Sequence, residues 1–398
     1  MSARPAAGEP QPIVRFGAGA WCWFADPRAV YFDGRTYAGW LDDAGYVVIG
    51  ALDSADRITT QRIARLGTRA LHDDHDAPAL LIEPDGRITA FYSHHSGAQM
   101  YSRTTIHPGD ITSWAPQLPT PTNPSGINAY TYPNPQYLAA ENETYLFWRG
   151  AGQPTFARRD ASGAWSPAQA LISQPHGVPY VKVDSNGRDT IYFAFTDGHP
   201  RNRVTSIYFA EYREAMIRHA DGAVIAALGS PILPVQADHI YDAGANHGVR
   251  AWVDDVAATP DGSAVVLFTT FPRGGSRRVY HYARWNGRSW HTYDVGDGGA
   301  TITTTASEHF YSGGMDLDHN DPRNLYASVG SFGHHRIERL TTPDGGRHWR
   351  RTWITGTQTD NVRPVVPRQL APGSAEVLWM RGSYGAFQRP ETSIVGLR

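Results

Sequence analysis

A chain of 398 residues is long enough for two or three average domains, yet its 40 Gly and 28 Pro are spread evenly and nothing in it reads as a linker. With 12 Trp, 20 Tyr and 14 Phe, the composition suits short strands joined by many turns and disfavours stacked helices. A formal net charge of −2 excludes the broad electrostatic field of a nucleic-acid or anionic-membrane binder, and a single cysteine excludes a disulfide framework or a Cys-rich metal site.

The opening segment, MSARPAAGEPQP, has no apolar leader core, and no later stretch reaches the roughly 18 apolar residues of a spanning helix. As written the chain is expected to stay in the cytoplasm; a trimmed leader would make it secreted. PIVRFG (12–17) and the C-terminal TSIVGLR both read as strands, so an N-terminal arm over residues 1–17 is expected to close a ring with the C-terminal strand. Cys22, set between Trp21 and Trp23, reads as a small buried residue rather than a nucleophile.

From there one pattern returns seven times: an Asp/Asn/Pro/Gly turn followed by a short aromatic and β-branched strand. The strands begin at Thr36, Ile88, Thr144, Thr190, Ala264, Asn324 and Glu376, a mean spacing of about 57 residues. That period matches a four-stranded propeller blade, and the segments lack the 3.6-residue periodicity of a helical solenoid. The expected fold is therefore all-β, a seven-bladed β-propeller in one domain over residues 1–398. Turns shortly before a Trp recur at 157–166, 283–292 and 341–350. The last fits an Asp box through Thr342, Asp344, Gly346 and Trp349, expected at a blade-to-blade hairpin and uninformative about catalysis.

In a propeller, equivalent strands end on one face, so residues far apart in sequence converge there. The repeat strands run out into His94 and His95, Arg149, Asp197 and His199, and Arg381, a set able to recognise an acidic ligand. His94 and His95 are neighbours on a strand end and should face opposite ways. In HDDHDAP (72–78), His72 and His75 lack further partners of standard metal-ligand spacing, and MDLDHNDP (315–322) lacks the glycine of a calcium loop. No metal ligand is assigned, no cofactor is required, and a structural divalent cation in the central channel stays open.

Longer stretches, AWCWFADPRAVYFDG, HDDHDAPALLIEPDGRITAFYSHH, TYPNPQYL, YLFWRG, YVKVDSNGRDTIYFAFTDGHPR, HIYDA, YSGGMDLDHNDP and NVRPVVPR, resemble in order the BNR-repeat propeller family of ulvan lyases and L-rhamnose-α-1,4-D-glucuronate lyases. The resemblance implies a lyase site of two His, a Tyr and an Arg, matched here by His75, His95, Tyr132 and Arg149. The 20-residue spacing selects His95 over His94. It implies β-elimination, in which a base takes the C5 proton of the uronate, an acid protonates the leaving C4 oxygen, and Arg149 steadies the carboxylate. His95 is the preferred base, His75 its partner and Tyr132 the preferred acid, with base and partner interchangeable. Lys182, His199 and Arg201 are expected substrate contacts. The implied partner is an acidic rhamnose-containing glycan, either ulvan or the side chains of an arabinogalactan such as gum arabic, acted on by a monomer. Two other classes compete. A glycoside hydrolase of α-L-rhamnosidase type needs carboxylates facing across the bond, whereas Asp73 with Asp74 and Asp254 with Asp255 are adjacent pairs. A non-catalytic glycan-binding propeller would bind without turnover.

Overall fold

The computed structural model describes residues 13–331 and 333–398. Its strands form seven antiparallel sheets arranged as the blades of a β-propeller. Blade 1 runs from Ala29–Phe32 to Ile58–Arg65, blade 2 from Ala79–Ile82 to Leu118–Pro119, and blade 3 from Tyr130–Leu138 to Gln169–Ala170. Blade 4 begins at Tyr180–Ser185 and carries an extra hairpin and a strand, Asp238–Tyr241, beside Ile207–Arg213. Blades 5 and 6 start at Arg250–Ala258 and Met315–Leu317. Blade 7 takes three strands from Asn361–Val365, Val377–Ser383 and Glu391–Leu397 and its fourth, Val14–Ala18, from the other end of the chain. Of the N-terminal arm expected over residues 1–17, residues 1–12 lie outside the described part. A parallel bridge between Val30 and Arg368 joins the inner edges of blades 1 and 7.

Each of the seven repeated motifs is the second strand of its blade. Such a strand lies inside its sheet and is packed from both sides by neighbouring blades, so Thr190–Thr196 and Ala264–Phe271 are buried at every position. Outer strands such as Ile58–Arg65 and Arg350–Trp353 are largely exposed and polar. The Asp box is a correction: it turns between the third and fourth strands within blade 6, not between blades. There Thr342 Oγ1 accepts from Gly346 N–H at 2.7 Å and Trp349 packs edge-on against Tyr282.

Inner strands line the axis, and two of them carry the same irregularity. The register shifts between Thr131 and Asn134 in blade 3 and between Val362 and Val365 in blade 7. At each bulge a residue preceding proline takes a left-handed conformation, Tyr132 with φ 62° and Arg363 with φ 55°. Side chains held in such geometry are re-aimed relative to the regular pleat.

Toward the face of the hairpins joining first and second strands, the axis is filled by an ionic knot. Arg28 donates to Asp26 and Asp316, both at 2.8 Å; His319 lies 3.0 Å from Asp184 and from Asp255; Arg368 stands 3.8–3.9 Å from Asp184, Asp255 and Asp316. The knot opens on a cavity of about 450 Å³ bordered by Asp184, His319 and Arg368. Burial and Arg368 oppose charge on His319, but Asp184 and Asp255 outweigh them and push its pKa up to about 9.

Candidate active site

At the opposite face, the site starts with the segment entering blade 2. Asp73 caps a short 3₁₀ turn, Asp74–Asp76, by accepting from the backbone N–H of His75 at 3.0 Å. The segment is tied on both sides: His72 and Asp74 donate backbone N–H groups to the carbonyls of Gln388 and Phe387 in blade 7, and Cys22 donates to the carbonyl of Asp74. Tyr384 adds a hydroxyl bond to Asp74 Oδ2 at 2.5 Å.

His95 follows the second strand of blade 2, and its backbone N–H donates to Asp76 Oδ1 at 2.7 Å. Its ring lies parallel to that of His75 with centroids 3.9 Å apart. One carboxylate serves both rings: Asp73 Oδ1 is 2.6 Å from His75 Nδ1, and Asp73 Oδ2 is 3.1 Å from His95 Nδ1. Burial disfavours charge on Asp73, yet His75 and His95 hold its carboxyl well below the usual range, so it only accepts. Both imidazoles therefore carry hydrogen on Nδ1, and a neutral His95 presents the lone pair of Nε2.

The two rings are not equivalent electrostatically. Burial works against charge on His75, but the carboxylates of Asp73 and Asp74 beside it raise its pKa well above the ordinary value. His95 is lowered by burial and by the stacked His75, so one proton charge rests on the pair. The side chain of His95 is 31% exposed and that of His75 is 4% exposed, which leaves His95 as the imidazole a ligand can reach. His94 is 55% exposed, bound to Asp76 and outside the stack.

Tyr132 rises from the bulge in blade 3 with its ring 5.5 Å from that of His75. The Arg149 guanidinium lies 4.6 Å over the Tyr132 ring and donates to the Tyr180 hydroxyl and to Thr131 Oγ1, each at 3.2 Å. Burial pushes the Tyr132 phenol well above its usual pKa although Arg149 pulls it down, so the phenol keeps its proton. His75, His95, Tyr132 and Arg149 thus form one cluster drawn from blades 2 and 3.

His199 sits beside it, 4.5 Å from Trp252 and edge-on to Tyr180. Its Nδ1 accepts the backbone N–H of Arg201 at 3.0 Å, and burial, Arg201, Arg149 and His75 lower its pKa to about 3. It is a neutral imidazole with hydrogen on Nε2. Arg201 pairs with Glu308, whose other oxygen is 3.8 Å from His199. Lys182 is a correction to the expected substrate contact: it is 1% exposed, and its ammonium bonds Asp26 and the Trp23 carbonyl inside the ring. Asp197 accepts from Ser206 and pairs with Arg203, and Arg381 is exposed on its own blade.

No motif in the sequence marks the aromatic floor. Trp23, Phe24, Tyr180, Trp252 and Tyr311 pack ring against ring with centroids 4.8–5.7 Å apart, and Phe387 stands edge-on to both stacked histidines. Among the described residues, three groups bring possible metal-ligand atoms within 4.8 Å: Cys22–Asp74–His75, Asp73–His75–His95 and Asp255–Asp316–His319. The third is interlaced with Arg28 and Arg368, which neutralise its carboxylates without an ion. Cys22 is fully buried, and burial pushes its thiol up, in keeping with a packing residue.

A seven-bladed propeller with a His–His–Tyr–Arg cluster at one mouth of its axis is the class these features define. The sequence matches the BNR repeat-containing family over residues 35–298, and the chain belongs to that family. Among solved structures the chain is similar to a PL25 ulvan lyase bound to -[GlcA(1-4)Rha3S]-, with 14% identity, a TM-score of 0.74, and coverage of 96% of this chain and 94% of the other. It is also similar to the polysaccharide lyase Uly1, with 12% identity, a TM-score of 0.61, and coverage of 94% and 89%. No curated protein sequence matches the chain.

Proposed function

We propose that the protein is a polysaccharide or oligosaccharide lyase that cleaves an L-rhamnose-α-1,4-D-glucuronate linkage by β-elimination. The observation that carries this reading is Asp73, which bridges two stacked imidazoles through Nδ1 and so leaves the Nε2 lone pair free on the partly exposed ring of a neutral His95, in one cluster with Tyr132 and Arg149.

In this reading Arg149 engages the uronate carboxylate and stabilises the negative charge that spreads onto it as C5 loses its proton. His95 Nε2 takes that proton. The electron pair of the C5–H bond forms the C4–C5 double bond, the C4–O bond breaks, and Tyr132 gives its proton to the departing oxygen. The products are a 4,5-unsaturated uronate and rhamnose or a rhamnose-ended fragment. In glucuronate the C5 proton and C4 oxygen lie on one face of the ring, which suits a base and an acid drawn from one cluster, as His95 and Tyr132 are through their shared neighbour His75. His75 supports His95 through the shared carboxylate. His199 and Arg201 contact the substrate from blade 4. The carboxylates nearest the cluster, Asp73, Asp74, Asp76 and Glu308, are already engaged by His75, His94, His95, Tyr384 and Arg201, an arrangement unlike the facing pair a hydrolase uses.

The test is a screen of ulvan and gum arabic oligosaccharides followed by the ultraviolet absorbance of the conjugated double bond. A rise that parallels chain cleavage is expected. Release of rhamnose without absorbance would replace the lyase with a hydrolase, and binding without any turnover would replace it with a glycan-binding propeller.

A further inference from the structure

Beneath the cluster lies a positive group that no carboxylate or carbonyl among the described residues pairs with. Arg363 comes from the bulge in blade 7, is 1% exposed, and lays its guanidinium 3.3 Å over the Trp23 ring. Its Nη1 and Nη2 are both buried and have no hydrogen-bond partner among the described residues. Trp252 rests on the same two rings as Arg363, Trp23 and Tyr311, and its indole N–H is likewise buried without an acceptor. Three unpartnered donor atoms, two on Arg363 and one on Trp252, therefore belong to side chains packed on the same pair of rings.

The nearby carboxylates do not satisfy them. Asp74 is bound by Tyr384 and lies against His75, and Asp254 accepts from Thr269 at 2.6 Å. Asp254 is held at about 7 mainly by burial, although Arg363 pulls it down, as befits a carboxyl near the guanidinium but not paired with it. A guanidinium cannot shed its charge, and an unpaired buried charge costs several kcal/mol. Water would satisfy the donors but neutralise nothing. The surroundings are walled by rings and closed to a sugar, so the acceptor must be small.

We propose that Arg363 and Trp252 form a binding site for one small inorganic anion of halide size, set on the propeller axis below the catalytic cluster and separate from the carboxylate-binding Arg149. This site is independent of the lyase reading and would exist in a propeller that only bound glycans.

Two measurements test it on the full chain. Crystals grown without halide and soaked in sodium bromide are expected to show an anomalous peak within hydrogen-bonding distance of Arg363. Thermal melts at fixed ionic strength, with chloride replacing gluconate, are expected to rise saturably. Trp252→Phe keeps the ring and removes one donor, and it should weaken the chloride response by about tenfold, the worth of one such hydrogen bond. Arg363→Met should abolish the response if it folds. Water alone at the guanidinium, or melts that follow ionic strength and not the identity of the anion, would overturn the proposal.

Discussion

The two ends of the propeller axis use the same kinds of side chain in opposite ways. At the hairpin end, Arg28, Lys182, His319 and Arg368 interlock with Asp26, Asp184, Asp255 and Asp316, and every charge has a counter-charge. At the cleft end, two histidines share one carboxylate, Arg149 leans on phenols and a hydroxyl, and His95 keeps a lone pair free. Paired charges lock the blades together, whereas incompletely paired ones hold interactions in reserve for a ligand. The difference teaches that burial of a polar group alone does not mark a site; what marks it is capacity left over.

Substitutions at the two ends should therefore separate activity from stability. Arg149→Ala is expected to lower kcat/KM for elimination by about a thousandfold or more, with a melting temperature near that of the parent. A large fall in melting temperature would move Arg149 to the structural side of the comparison. Tyr132→Phe should lower kcat by about a hundredfold or more with little change in KM, because it removes the proton donor and keeps the ring. Steady-state kinetics on one defined oligosaccharide would check both.

Lys182→Met should behave the other way. It leaves Asp26 with one counter-charge fewer and is expected to cost about 3–5 kcal/mol in denaturant unfolding, while the folded fraction turns over normally. Loss of turnover with unchanged stability would restore Lys182 as a substrate contact.

The smallest effects are in pH. Because the pKa of His95 is lowered, log kcat/KM should rise with a midpoint below the ordinary histidine value of about 6.5 and then stay level into the alkaline range, since Tyr132 is raised. A rising limb centred above that value would remove His95 as the base. Stability should run oppositely. The raised pKa of His319 gives a contribution fully present below about 6.5 and lost as pH climbs through about 9, and His75 acts with the same sign. Denaturant midpoints from pH 6 to 10 should fall, less steeply in His319→Gln, while activity stays level over the lower part of that range.

Much of the architecture was legible because the second strand of each blade is enclosed on both sides and reads as a dense apolar run at a fixed period. Outer strands, polar and exposed, left almost no trace, and the Asp box was misplaced because a turn motif does not say which strands it joins. That His75, His95, Tyr132 and Arg149 come together in one cluster was readable through ordered motifs rather than from spacing alone. Lys182 misled for a geometric reason. Tyr180, Lys182 and Asp184 share one face of a strand, but that strand runs along the axis, so Tyr180 meets the cleft, Asp184 meets the knot, and Lys182 lies between. Sequence shows which face a strand residue takes, not how deep it sits. The role of Asp73 was hidden because its two partners are brought together only by folding.

The hydrogen bonds from the His72–Asp74 segment to Gln388 and Phe387, and from Tyr384 to Asp74, set an order of events during biogenesis. Blades 2 and 3, which supply the four groups of the proposed site, emerge early from the ribosome, but the backbone that holds His75 is moored to the last blade. That blade is finished only when Glu391–Leu397 lies between Val377–Ser383 and Val14–Ala18. The His75 cluster is thus completed late, in the same step that seals the ring, and under the proposed function regain of turnover in refolding experiments would report on when the seam has formed.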